Sequence, residues 1–267
     1  MKNKKKTPFW RLSGADVQGI SYLLGTMHLK PPGPKPSWEA PFLNYIDLCQ
    51  VFATEFSLDE VDPVLLRKFS LLPDNQLLSD YLTEKKFKKL EKVLLKSLGL
   101  PLRSLIRMQP LMIVNLISEQ LLAAYHPVSM DSELWQAAVK KGKRMEGIET
   151  FEEQLQILKK IPIDYQVKNL VSIIKNINQY RKKLLHLAKV YDTGDIQQLY
   201  KVSKQGMGSI RKLMLIDRNH IMAERIYDKI QTTSMFCAIG AGHLAGKEGV
   251  LRLLKKKGVT IKPILVK

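Results

Sequence analysis

The chain has 267 residues, 45% of them hydrophobic, which is enough to bury a substantial core and excludes disorder as its dominant state. Forty-three Lys and Arg against 25 Asp and Glu give a formal charge of +18, which raises nucleic acid, anionic membranes and acidic substrates as partners. The lysines recur in short groups such as Lys85-Lys86, Lys88-Lys89, Lys182-Lys183 and Lys255 to Lys257, and aromatic residues do not alternate with them as a stacking groove would need. That is the pattern of solvated helix faces rather than of a stacking groove, so no nucleic acid partner is expected.

The basic start, Met1 to Lys6, has no apolar core behind it, so the sequence as it stands carries no expected export signal and reads as cytoplasmic unless a leader has been removed. The apolar run Leu111 to Ile117 is too short to cross a bilayer. Membrane contact, if any, is expected to be peripheral. Cys49 and Cys237 read as small buried residues, since a single pair defines no disulfide framework.

Phe9 to Leu12 and Ile20 to Gly25 read as two strands joined by a turn, the second running into Gly25-Thr-Met-His28. The proline-rich loop from Lys30 to Pro36 cannot be helical. Trp38 to Cys49 then reads as a helix with Phe42, Tyr45, Ile46 and Cys49 on one side, and Gln50 to Phe56 as an apolar strand with Glu55 at its end. From Leu58 to Lys140 the apolar positions recur at helical spacing, broken at Pro73, Pro101, Pro110 and Pro127. Lys143 to Glu149 reads as a short strand delivering Glu149, after which Thr150 and Glu153 have capping-box spacing. Long helices follow, with Val167, Leu170, Val171, Ile174 and Ile177 as a core stripe, and a later helix begins near Asp217-Arg-Asn-His220.

The last segment repeats the opening pattern. Ser234 to Gly240 is a buried strand that stops in Gly240-Ala-Gly-His243, where glycines let the backbone turn. A helix over Lys247 to Lys257 and a strand over Val259 to Val266 follow, Pro263 arguing that this strand lies at an edge. The expected fold is therefore α/β, a central mixed β-sheet built from two similar strand-Gly-x-x-His-helix-strand halves. One domain over 1–267 is expected, with α/β halves at 8–57 and 233–267 and a helical middle at 58–232 interrupted by the strand at 143–149.

Histidines leaving two strand ends of one sheet can converge, since neighbouring strands lie about 4.8 Å apart. Glu55 adds a carboxylate whose burial needs a compensating cation, donor or proton. His28, His243 and Glu55 together form a ligand set for a divalent ion with an open position for water. No P-loop, Gly-x-Ser-x-Gly elbow or His-Glu-x-x-His helix occurs, which excludes the common phosphate-loop, serine-hydrolase and zincin sites.

Gly25-Thr-Met-His28, Glu55 after Val51-Phe-Ala-Thr, Met130-Asp131, Gly147-Ile-Glu-Thr150 with Gln154, Arg218-Asn219 with Met222, and Gly240-Ala-Gly-His243 occur in this order. Together they resemble the TraB/PrgY/GumN family, which includes the TIKI proteases, and within it the GumN-like bacterial group. The resemblance implies a metallohydrolase acting on a peptide or protein, holding Mn, Co or Zn on His28, His243 and Glu55. Glu55 or Glu149 would move the proton, and Arg218 and Asn219, opening a helix, would bind a substrate carboxylate or an oxyanion. It equally leaves open a metal-free His/Glu hydrolase, or a protein that binds a peptide or haem-like ligand in the same cleft without turnover.

Overall fold

The computed structural model describes residues 6–27, 39–122 and 129–265. The expected ligand His28 lies outside them, as do Trp38 and His126. The strands are β1 (Phe9–Ser13), β2 (Ser21–Thr26), β3 (Val51–Thr54), β4 (Arg144–Gly147), β5 (Met235–Gly240) and β6 (Thr260–Pro263). The first five α-helices are α1 (Glu39–Asp47), α2 (Pro63–Ser70), α3 (Glu84–Leu98), α4 (Pro110–Leu122) and α5 (Met130–Lys140). After them come α6 (Phe151–Lys159), α7 (Ile163–Lys175), α8 (Ile177–Asp192), α9 (Ile196–Lys204), α10 (Asp217–Thr232) and α11 (Val250–Lys256).

The fold is α/β, as the alternating apolar runs and helical stripes imply. One mixed sheet has the order β4-β3-β5-β2-β1-β6. Strands β4, β3, β5 and β2 are parallel, and β1 runs antiparallel to both β2 and β6. Strands β2 and β3 are buried at every position, and β5 at all but its last, which is why they read as continuous apolar runs rather than alternating ones. Pro263 does sit on an edge strand, β6, where its missing N–H breaks no interior ladder.

Two compact units divide the chain, one over 1–60, 128–154 and 186–267, the other over 61–127 and 155–185. In the first, Phe52, Phe236 and Tyr22 stand side by side on β3, β5 and β2. With Phe9, and with Phe42 and Tyr45 from α1, they make one aromatic cluster. Trp135 of α5 meets Phe52 edge-on. In the second unit α7 packs on α3 and α4, burying the stripe of Val167, Leu170, Val171 and Ile174. Among the described residues no helix is long and apolar enough to cross a membrane. Cys49 and Cys237 are buried free thiols; burial pushes Cys49 up to about 12.

The segment after β5 departs from expectation. A single 3-10 turn spans Ala241–His243, and the helix begins at Val250, not Lys247, because Gly246 takes φ +103° and Gly249 precedes the first helical residue in an extended conformation. The glycines of the two Gly-x-x-His motifs also act differently from the expected turn role. Gly240 has φ −52°, open to any residue. What Gly25 and Gly240 supply is space. A Cβ on Gly25 would lie 2.5 Å from Leu244 Cδ1 and 3.0 Å from Ala241 Cα, and one on Gly240 would lie 3.0 Å from Glu55 Oε1.

Candidate active site

Because β2, β3, β4 and β5 are parallel, their C-terminal ends lie along one edge of the sheet, where sites of α/β folds form. Thr26 pairs with Gly240 in the β2–β5 ladder, so the segments leading to the two Gly-x-x-His histidines leave adjacent strand ends. Glu55 follows β3 directly. Glu149 follows β4 by two residues, its N–H donating to the Glu55 carbonyl at 2.6 Å and so extending the β3–β4 pairing past both strands. Gly147 allows that turn, since a Cβ there would meet the Glu149 carbonyl oxygen at 2.4 Å. The capping box forms as its spacing implies: Thr150 N–H donates to Glu153 Oε2 at 2.8 Å and Glu153 N–H to Thr150 Oγ1 at 3.1 Å. Arg225 clamps the same turn, donating to the Ile148 carbonyl and to Glu153.

Arg218 is the hub. Its Nε donates to both Glu149 oxygens at 3.1 Å, and its Nη2 donates to Glu149 Oε2 at 2.5 Å and to Glu55 Oε2 at 2.7 Å. The side chains of Glu149 and Arg218 are 1% and 9% exposed, that of Glu55 19%. Gln154 Nε2 adds donors to Glu149 Oε2 at 3.0 Å and Glu55 Oε2 at 3.3 Å, and Gly240 N–H donates to Glu55 Oε1 at 2.8 Å. Burial pushes the Glu55 carboxyl up, but His243, Arg218 and the Gly240 N–H outweigh it and hold it well below the usual carboxylate range. Burial likewise opposes the Arg218 charge, and its bonds to Glu149 and Glu55 more than restore it.

His243 lies beside this cluster, with Nε2 3.8 Å from Glu55 Oε1. Its Nδ1 is 2.6 Å from Asn219 Oδ1, while Asn219 Nδ2 donates to the Glu248 carbonyl at 2.6 Å. The Glu248 carbonyl fixes which way the amide faces, so Asn219 Oδ1 is an acceptor and the proton of neutral His243 sits on Nδ1. Nε2 is then the ring nitrogen without a proton, and it is the one nearer Glu55. Burial lowers the His243 pKa, Arg218 lowers it further, and Glu55 opposes them without prevailing, so the ring is neutral near pH 7.

Five of the six candidate residues, Glu55, Glu149, Arg218, Asn219 and His243, thus meet at one place, although Arg218 is separated from Glu149 by 69 positions and from Glu55 by 163. One expectation needs revision. Arg218 and Asn219 do not open a free helix end, because a π turn over Lys212–Ile216 runs straight into α10 and removes any bare N-terminal amides. Their side chains are bonded to Glu149, Glu55, His243 and the Glu248 carbonyl. The cation and the donor that a buried Glu55 requires are both present, as Arg218 and the Gly240 N–H. Gln154 and the Gly240 N–H are partners that residue type alone does not signal, although Gln154 sits one turn into the helix that the capping box begins. His220 lies apart, 55% exposed and bonded to Glu248, and His186 is exposed. Asp131 adds a negative charge near Tyr191, whose hydroxyl donates to the Gly25 carbonyl at 2.7 Å.

Among the described residues no group of three or more His, Cys, Asp or Glu is arranged to hold a metal ion. A partial fit exists. His243 Nε2 and Glu55 Oε1 are close enough to reach one ion through bonds of about 2.0–2.2 Å, and one guanidinium against two carboxylates leaves the cluster one negative charge in excess.

A mixed sheet with a His-Glu pair, a second carboxylate and a bridging arginine at the ends of its parallel strands defines an α/β protein with a polar site built from four separate segments. The TraB/PrgY/gumN family model matches residues 8–263, and the chain belongs to that family. No curated protein and no solved structure matches it.

Proposed function

We propose that this chain is a peptide-bond hydrolase in which His243 and Glu55 are the reacting pair and bind a divalent ion, with His28 as the third ligand. The observation that carries this reading is the closeness of His243 Nε2 to Glu55 Oε1, 3.8 Å, with the other ring nitrogen, Nδ1, held 2.6 Å from Asn219 Oδ1. The ion, when bound, would polarise a carbonyl and acidify its water. Asn219 holds the imidazole in one tautomer, as partners beyond the ligands do at metal sites. Arg218 and the Gly240 N–H hold Glu55 ionised and fixed in direction. Glu149, nearly inaccessible and bonded to Arg218 through both oxygens, acts as a positioning group through Arg218 rather than moving a proton itself.

Arg218 favours one second reading. With Glu55 already held by Arg218 and the Gly240 N–H, neutral His243 could take a proton from water at Nε2 as a general base, and Glu55 would stabilise the resulting imidazolium. The test is metal analysis of the purified protein, with cleavage of a peptide library read by mass spectrometry before and after chelation. The metal reading expects activity lost on chelation, restored by Mn, Co or Zn, and abolished in His243→Ala. Chelation-resistant activity that His243→Ala still abolishes selects the general-base reading. Cleavage untouched by His243→Ala, or peptides recovered intact at every metal, refutes hydrolysis at this site. Asn219→Ala is expected to lower activity about 10- to 100-fold while leaving the fold intact.

A further inference from the structure

A concavity of about 830 Å³ opens in the first unit. Small-molecule sites span roughly 300–1,000 Å³. Its walls come from β1, β6, α11, the turn before α9 and the segment Leu244–Gly246; none of Glu55, Glu149, Arg218, Asn219 and His243 lines it. The apolar part is Trp10, Ile196, Leu244, Leu251, Ile261 and Pro263. The Trp10 indole Nε1 is buried with no hydrogen-bond partner among the described residues, a donor still lacking its acceptor.

Charge on the rim is net positive, three cations against the one carboxylate of Asp195 among the described residues. Arg252 and Lys255 stand one turn apart on the exposed side of α11, and no carboxylate pairs with either among the described residues. Lys6 and Asp195 also line the opening, but they are paired with each other at 3.1 Å, which leaves Arg252 and Lys255 as the cations without a carboxylate among the described residues. A guanidinium presents a planar fork matched to a carboxylate, and an ammonium beside it adds a second positive point.

We propose that this cavity binds an amphipathic carboxylate, its hydrocarbon body against Trp10, Leu251 and Ile261 and its head on Arg252 and Lys255. The apolar walls and the unpaired cations ask for the two halves of that one ligand class. A free inorganic anion would leave the walls uncovered, and a neutral hydrocarbon would leave the cations unused.

Decanoate is the probe, titrated by calorimetry into the full chain, with decanol and acetate as the neutral and head-only controls. The expected result is saturable decanoate binding, weakened about tenfold or more in the Arg252→Glu/Lys255→Glu double variant, with decanol weak and indifferent to that change and acetate silent. Ile261→Trp, which fills the cavity, is expected to abolish decanoate binding. Both Arg252 and Lys255 are exposed, so the double variant is expected to fold, and its circular dichroism and melting temperature confirm it. Decanoate that fails to bind at millimolar concentration, or that binds the double variant as tightly as the parent, overturns the proposal. So does decanol binding as well as decanoate, which would show that the head is not recognised.

Discussion

Replacing Arg218 with Met keeps most of the side chain's volume and removes the one cation between two carboxylates. Glu149, 1% exposed, would lose both bonds from Nε and the one from Nη2, keeping only Gln154 Nε2 at 3.0 Å among its side-chain partners in the described residues. Glu55 suffers less, because it is 19% exposed and retains the Gly240 N–H at 2.8 Å. Removing one partner of a buried ion pair costs about 3–5 kcal/mol, since the charge left behind has neither water nor a counter-ion. The exposure of Glu55 and its surviving donor put the expected loss near the middle of that range, on the order of 4 kcal/mol. For a chain of this size that corresponds to a melting temperature lower by roughly 10 °C. The assay is urea and thermal unfolding followed by tryptophan fluorescence, on Arg218→Met, Glu149→Gln and the double variant. Neutralising Glu149 as well removes the stranded charge, so the double variant is expected to recover at least about half the loss, a coupling that only groups in direct contact show. A single-variant cost below about 1 kcal/mol, or a double-variant cost equal to the sum of the singles, would refute the account of Arg218 as the hub.

Other consequences are as direct. His243 has its folded pKa below the ordinary 6.5, so between 6.5 and the lower folded value the unfolded chain binds a proton that the folded chain does not. The stability this ring contributes is therefore full above pH 6.5 and falls as the pH drops below it, and His243→Gln is expected to flatten that part of a stability-versus-pH curve; an unchanged slope would show that folding does not shift the ring's pKa. Gly25→Ala places a Cβ 2.5 Å from Leu244 Cδ1 and 3.0 Å from Ala241 Cα. Overpacking of this kind costs about 1–3 kcal/mol, and a thermal melt matching the parent would show that the two motif segments do not press together. Gly240→Ala is expected to damage activity more than stability, because the atom its Cβ crowds is Glu55 Oε1 at 3.0 Å; equal kcat/KM in parent and variant would count against Glu55 as a reacting group.

The sequence by itself determined the elements and the strand-end residues. Apolar runs gave β2, β3 and β5 because strands buried on both faces have no polar side to show. Thr150 and Glu153 declared the start of α6 because a capping box is closed within four residues, and the repeated Gly-x-x-His marked two strand ends. Only the tertiary structure decided how these pieces meet. The insertion of β5 between β3 and β2 follows from crossovers that no local pattern encodes. The occupation of Arg218 by Glu55 and Glu149, the orientation of His243 by Asn219, and the need for glycine at 25 and 240 all depend on atoms brought together across long loops. Periodicity reports whether a residue is buried; the direction in which a buried donor points is set by the partner that the fold brings to it.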